Sequence, residues 1–229
     1  MLNSKYFRVP LTKTDQNSCS SKRLLAPTLM VLFLVLIPHA HGAMYGPKAT
    51  KHHEARPKIR YTSLVREITA ALHISPGRWK MIICHHSAIE TGNAAIYDRE
   101  HRRRGMENGL AYHFVIGNGS SSGDGEIEIG SRWIRQIKGG HVRSDELNDQ
   151  AIGICLVGNF ENHRPTKKQI EALKELLLYL RDDVLGGRAE FLVHTEADPN
   201  HTLCPGRYFP TRMVRRYFGT ARHKNPERE

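Results

Sequence analysis

Three short uncharged runs constrain the fold most: MIIC at residues 81–84, AIGICLV at 151–157 and FLV at 191–193. Each is rich in Ile, Leu or Val, is short for a helix, and lacks the alternation of a strand with one wet face. Strands that are apolar throughout belong in a sheet covered on both faces, and 151–157 suits its centre. The intervening stretches carry helical spacing. Residues 166–185 are the clearest, with Thr166 as cap and Ile170, Leu173, Leu176, Leu177 and Leu180 as the buried stripe. Helices are also expected over 62–73, with Leu64, Ile68 and Leu72 on one side, over 93–104 before the Gly105 stop, and over 205–218. A strand at 110–116 and a return at 126–130 flank the Gly/Ser-rich turn 117–125 and read as a hairpin. The expectation is an α/β fold: a single domain over 62–219, with a central mixed β-sheet and helices on both faces.

The N-terminus reads differently. Lys22 and Arg23 precede 15 uncharged residues, 24–38, and Ala40, Gly42 and Ala43 follow. Basic flank, apolar segment and small-residue cleavage region are the order of a secretory signal, assigned to 1–43. The run is shorter than the about 20 residues a spanning helix needs, so no stable membrane span is expected after processing. The long charged lead keeps an uncleaved anchor as the alternative. Residues 44–61 are poor in apolar side chains and read as a flexible linker, His52 and His53 included; 220–229 read as a disordered tail.

Processing would remove five of the 34 basic and one of the 23 acidic residues, leaving 29 against 22 and a net charge of +7. An exported basic protein, periplasmic or extracellular at the cell wall, meets anionic wall polymers more readily than nucleic acid, and no basic–aromatic interleaving points to nucleic acid. Three cysteines would survive: Cys84, Cys155 and Cys204. An odd count argues against a disulfide framework.

Two of the apolar runs end on histidine. His85 follows strand 81–84 and His194 follows 191–193, and strand-end side chains in an open α/β sheet reach the crevice where such sheets bind ligands. Ten residues beyond His194 stands Cys204, directly before Pro205-Gly206, where proline suits the first position of a helix. A helix N-terminus there would favour thiolate. Two imidazoles and a thiolate, with one position left open, describe a catalytic zinc site. A His–Cys pair at this spacing arises by chance in a chain with 14 histidines; the second strand-end histidine makes metal ligation the better reading. Tyr112, inside strand 110–116, is of a kind that most often packs. The loop Gly139-Gly140-His141 can bring backbone and imidazole to a ligand. The basic face of 93–104 is either solvated or lines a substrate groove.

Taken in order, IICHHSA, LAYHFVIGNG, the GGHV loop, AIGICLVGNF and HTEADPNHTLCPG resemble the zinc-dependent N-acetylmuramoyl-L-alanine amidases of the type-2 amidase and peptidoglycan recognition protein superfamily. The resemblance covers about residues 79–218. It implies Zn²⁺ held by His85, His194 and Cys204, Tyr112 as the catalytic tyrosine, Thr202 as a second catalytic position and His141 as a substrate-facing residue. It also implies peptidoglycan or muropeptides as partner and hydrolysis of the bond between N-acetylmuramic acid and L-alanine. It puts Cys155 on the site side of its strand, whereas alternation turns Cys84 away from His85.

The chain departs from the family pattern at two points. The His194–Cys204 spacing is two residues longer than in phage and recognition-protein members and is similar to that of cytosolic recycling amidases, whose last ligand is Asp. Those recyclers carry Glu where Cys155 stands. The rival readings are a module that binds peptidoglycan without cutting it, which in this superfamily lacks the Cys ligand, and a zinc peptidase acting within the stem peptide.

Overall fold

The computed structural model describes residues 59–220. The signal at 1–43, the linker up to residue 58 and the tail from 221 lie outside the described residues. In chain order the elements are α1 (Ser63–Ala70), β1 (Met81–His86), α2 (Ala94–Arg103), β2 (Phe114–Ile116), β3 (Ile127–Ile129), α3 (Ser131–Ile134), α4 (Asp145–Gln150), β4 (Ala151–Leu156), α5 (Lys167–Tyr179), β5 (Glu190–Val193), α6 (His194–Ala197) and α7 (Thr211–Thr220). A π-helical turn over Leu180–Val184 continues α5.

The strands form a single mixed sheet in the order β3-β2-β4-β1-β5, parallel except for the hairpin strand β3. The two longest uncharged runs, β1 and β4, lie side by side with both faces covered, as apolar strands require. One face carries Ile82, Cys84, Phe114, Ile154 and Leu156 against Leu173, Leu176 and Leu177 of α5 and Val214 and Phe218 of α7. The other carries Val115, Cys155 and Val157 against Ala94 and Tyr97 of α2. The expected α/β architecture with helices on both faces is the one observed. Helix α5 starts on a complete capping box: Thr166 Oγ1 accepts from the Gln169 amide, and the Gln169 side chain accepts from the Thr166 amide.

Three local expectations fail, each for a visible reason. In α1 the buried positions are Val65 and Thr69, while Leu64 is 49% exposed. The Glu175 carboxylate accepts from the amides of Arg60, Tyr61 and Thr62 and from the Thr62 hydroxyl, which fixes how the chain enters the helix. The strand expected from residue 110 pairs only from Phe114. The Gly153 amide that a continuing strand would bond instead donates to His113 Nδ1 at 2.9 Å. Finally, no helix begins at Pro205. Arg207 N donates to Glu161 and Tyr208 N to the Phe160 carbonyl, so these amides are spent on the segment after β4 and the helix waits until Thr211.

Candidate metal centre

Parallel register brings the two strand-end histidines together. Cys84 of β1 lies opposite Val193 of β5, so the next residues, His85 and His194, share the carboxyl edge of the sheet with ring centroids 4.5 Å apart. Cys204 arrives from the loop beyond α6, where its carbonyl accepts from Thr195 N and its own amide donates to Thr202 Oγ1 at 3.0 Å. Its Sγ accepts from His86 N at 3.3 Å and sits 3.8 Å from His85 Nδ1. One ligand atom from each of His85, His194 and Cys204 lies within 4.8 Å of the others. An imidazole nitrogen about 2.1 Å and a sulfur about 2.3 Å from one tetrahedral centre stand roughly 3.6 Å apart, so the 3.8 Å pair already has the separation zinc needs.

One pair of tautomers satisfies the hydrogen bonds of His85 and His141. The Ala151 carbonyl can only accept, so His141 Nε2, 3.4 Å away, carries the proton. Neutral His141 therefore accepts at Nδ1 from His85 Nε2 across 3.1 Å, and His85 Nδ1 keeps its lone pair toward Cys204. Burial holds both imidazoles neutral, pushing His85 well below the usual histidine range and His141 down to about 3. Neutral nitrogen is the form that binds a metal. His194 Nε2 meets the buried Asp198 carboxylate at 2.9 Å, which leaves Nδ1 as the nitrogen that could hold a metal.

Burial likewise raises the Cys204 thiol, to about 12, and no helix starts at Pro205 to oppose it, which corrects the expectation of a thiolate stabilised by that helix's dipole. A buried thiol of raised pKa is a poor nucleophile by itself, so the donor set favours metal binding over a cysteine hydrolase. Two imidazoles and one thiolate form a set that zinc accepts.

Tyr112 stands beside this cluster, its ring 5.2 Å from that of His85, and burial pushes its phenol well above the usual tyrosine range. Its backbone is held from two sides. Asp98 and His101 of α2 accept from the amides of Leu110 and Ala111, and buried Arg132 of α3 donates to the carbonyls of Leu110 and Lys138. Gly140 N reaches the Ala111 carbonyl, so the GGHV loop and the tyrosine segment brace one another. On α2 it is Asp98 and His101 that turn toward this segment, whereas the basic face, expected to be solvated or groove-lining, keeps Arg99, Arg102, Arg103 and Arg104 exposed, with Arg102 and Arg103 paired to Asp98 and Glu100.

His141, expected as a substrate-facing residue, is 6% exposed and lies against His85. Thr202 supports the Cys204 amide from the adjoining loop. Sequence reasoning missed Asp198, Arg143 and Asn148. Asn148 clamps the loop, accepting from the amides of His141 and Val142 and donating to the Val142 carbonyl.

This is the fold of N-acetylmuramoyl-L-alanine amidases: the chain is similar to the amidase LysC from Clostridium intestinale URNW, with a TM-score of 0.53 and 25% identity over 65% of this chain and 95% of that one. Over residues 75–207, more than half its length, the sequence matches the N-acetylmuramoyl-L-alanine amidase family, and the chain belongs to that family. Among curated relatives, peptidoglycan-recognition protein 2 of Holotrichia diomphalia is 30% identical over 107 residues, 43% of this chain and 52% of that protein. Peptidoglycan recognition protein 1 of Mus musculus is 35% identical over 99 residues, 42% of this chain and 48% of its own. The chain spans about half the length of these two relatives. No helix among the described residues is long and apolar enough to cross a membrane.

Proposed function

We propose that the chain is an exported zinc-dependent amidase that hydrolyses the bond between the lactyl group of N-acetylmuramic acid and the L-alanine of the peptidoglycan stem. The convergence of His85, His194 and Cys204 on one point carries this reading, because a module that only binds needs no such donor set. Zinc, when bound there, supplies Lewis acidity and lowers the pKa of water. The residues of the chain do the rest. A water oxygen bonds to the lactyl carbonyl carbon, the C–N bond breaks, and the departing L-alanine nitrogen gains a proton. Tyr112, kept protonated by burial, is suited to donate to the oxygen on which negative charge develops, rather than to act as a base. The Thr202 hydroxyl accepts from Cys204 N and keeps its own proton for a substrate oxygen.

The test is digestion of purified peptidoglycan by the zinc-loaded full chain. New L-alanine amino termini and intact stem peptides freed from intact glycan are expected. Chelator should abolish the reaction and zinc restore it, and Cys204→Ser should lose zinc and activity together. Shortened stem peptides would show a peptidase, and binding without release would show a recognition module.

A further inference from the structure

The outward nitrogens of both ligand histidines are held by one short segment of chain. Its first arm is a side chain: His141 Nδ1 lies 3.1 Å from His85 Nε2, within hydrogen-bond distance. Its second arm starts two residues later, where Arg143 N donates to Asp198 Oδ2 at 2.9 Å, and the same oxygen meets His194 Nε2 at 2.9 Å. Asn148 fixes the segment between these arms by three hydrogen bonds, and Gly139 N adds a fourth to the Asn148 carbonyl. Asp198 is 6% exposed, and among the described residues the ring it hydrogen-bonds is that of His194.

We infer that Asp198 is a positioning residue for the metal centre, and that with residues 139–143 it forms a brace that dictates which nitrogen each histidine presents. A free imidazole exchanges its proton between Nδ1 and Nε2, and of the four resulting arrangements at two histidines all but one would point an N–H at the ion. A carboxylate on His194 Nε2 and an acceptor nitrogen on His85 Nε2 remove that freedom. Both lone pairs then stand ready at Nδ1. The carboxylate also makes the His194 ring a stronger donor, since it partly withdraws the Nε2 proton. The two arms share the 139–143 backbone, so disturbing the loop shifts both rings together.

The inference rests on the zinc reading, and its test keeps the two apart. Zinc affinity of the full chain is measured by competition with a chromophoric chelator for wild type, Asp198→Ala and Asp198→Asn. Asp198→Ala should bind zinc about 10–100-fold more weakly, the range found when such outer hydrogen-bond partners are removed. Asp198→Asn keeps an acceptor oxygen and should recover most of that loss; it also serves if the alanine variant does not fold. Nitrogen-15 NMR of zinc-free wild type should show His194 protonated at Nε2, and of zinc-free Asp198→Ala a mixture of the two tautomers, a signature that a merely structural role for Asp198 does not require. Wild type that binds zinc beside an alanine variant within twofold of it, or His194 protonated at Nδ1, would overturn the brace and leave the amidase reading intact. Wild type that binds no zinc would overturn both.

Discussion

Gly153, in the middle of β4, carries no side chain because the His141 ring occupies that space. A Cβ built there would lie 2.3 Å from His141 Cδ2, 2.6 Å from Nε2 and 2.8 Å from Cγ. Ordinary contact begins at 3.4 Å, so Gly153→Ala must drive the ring back by about 1 Å. The ring has little room to retreat, since a Cβ at Gly139 would also meet it, 2.4 Å from Cδ2. A shift of that size stretches the 3.1 Å bond to His85 Nε2 beyond hydrogen-bond range and strands a buried N–H. Overpacking costs about 1–3 kcal/mol and an unpaired buried donor about 1–3 kcal/mol, so the metal-free protein should lose about 2–6 kcal/mol. For a chain of this size that lowers the thermal midpoint by roughly 4–24 °C. Scanning calorimetry measures it, and the chelator competition should show weaker zinc binding alongside. The double variant Gly153→Ala/His141→Ala should cost less than the sum of the singles, because removing the ring removes the clash. An unchanged midpoint with unchanged zinc affinity in Gly153→Ala would refute the packing argument.

Tyr112→Phe should bind zinc as wild type does and slow turnover by about 10²–10³-fold, the effect of losing one donor to a developing oxyanion; equal loss of zinc would make the tyrosine structural. Acid should destabilise the metal-free protein through His113, whose pKa burial and the neighbouring His141 lower well below 6.5. The native state then favours the neutral ring, so its stabilising effect is complete above pH 6.5 and is lost as the pH falls below it, about 2 kcal/mol from this residue between pH 7 and 5. Urea titrations at both pH values check this, and a His113→Gln variant with the same pH dependence as wild type would sink it.

What could be read from the sequence is whatever strand parity and strand ends determine. His85 and His194 each follow an apolar run, and any parallel pairing of those runs puts both at the same edge of the sheet. The observed register, Cys84 opposite Val193, makes them neighbours. Cys84 and Cys155 occupy opposite faces and are both free; parity turns Cys84 away from His85, while the side of Cys155 comes from the family resemblance. The neighbourhood of Cys204 was less legible, because Pro-Gly can start a helix or a turn. Glu161 and the Phe160 carbonyl decide it by taking the amides of Arg207 and Tyr208, and both lie more than forty residues earlier in the chain.

The place of His141 depended on a fact of the opposite kind, the absence of a side chain twelve residues later. A glycine inside an otherwise apolar strand signals that something approaches its backbone closely, and AIGIC carries that signal at Gly153. Nothing in the sequence says that the visitor is an imidazole, since the loop that brings it folds back through Asn148 and Arg143. Two kinds of information therefore make the centre. Strand order places the rings, which a pattern of apolar residues encodes strongly. The packing of one loop selects the nitrogen each ring presents, and that is encoded in single residues with no periodicity: Gly153 as an empty space, Asn148 as a clamp and Asp198 as a proton acceptor. A change to the first kind should prevent folding, whereas a change to the second should leave the sheet in place and weaken the hold on the ion.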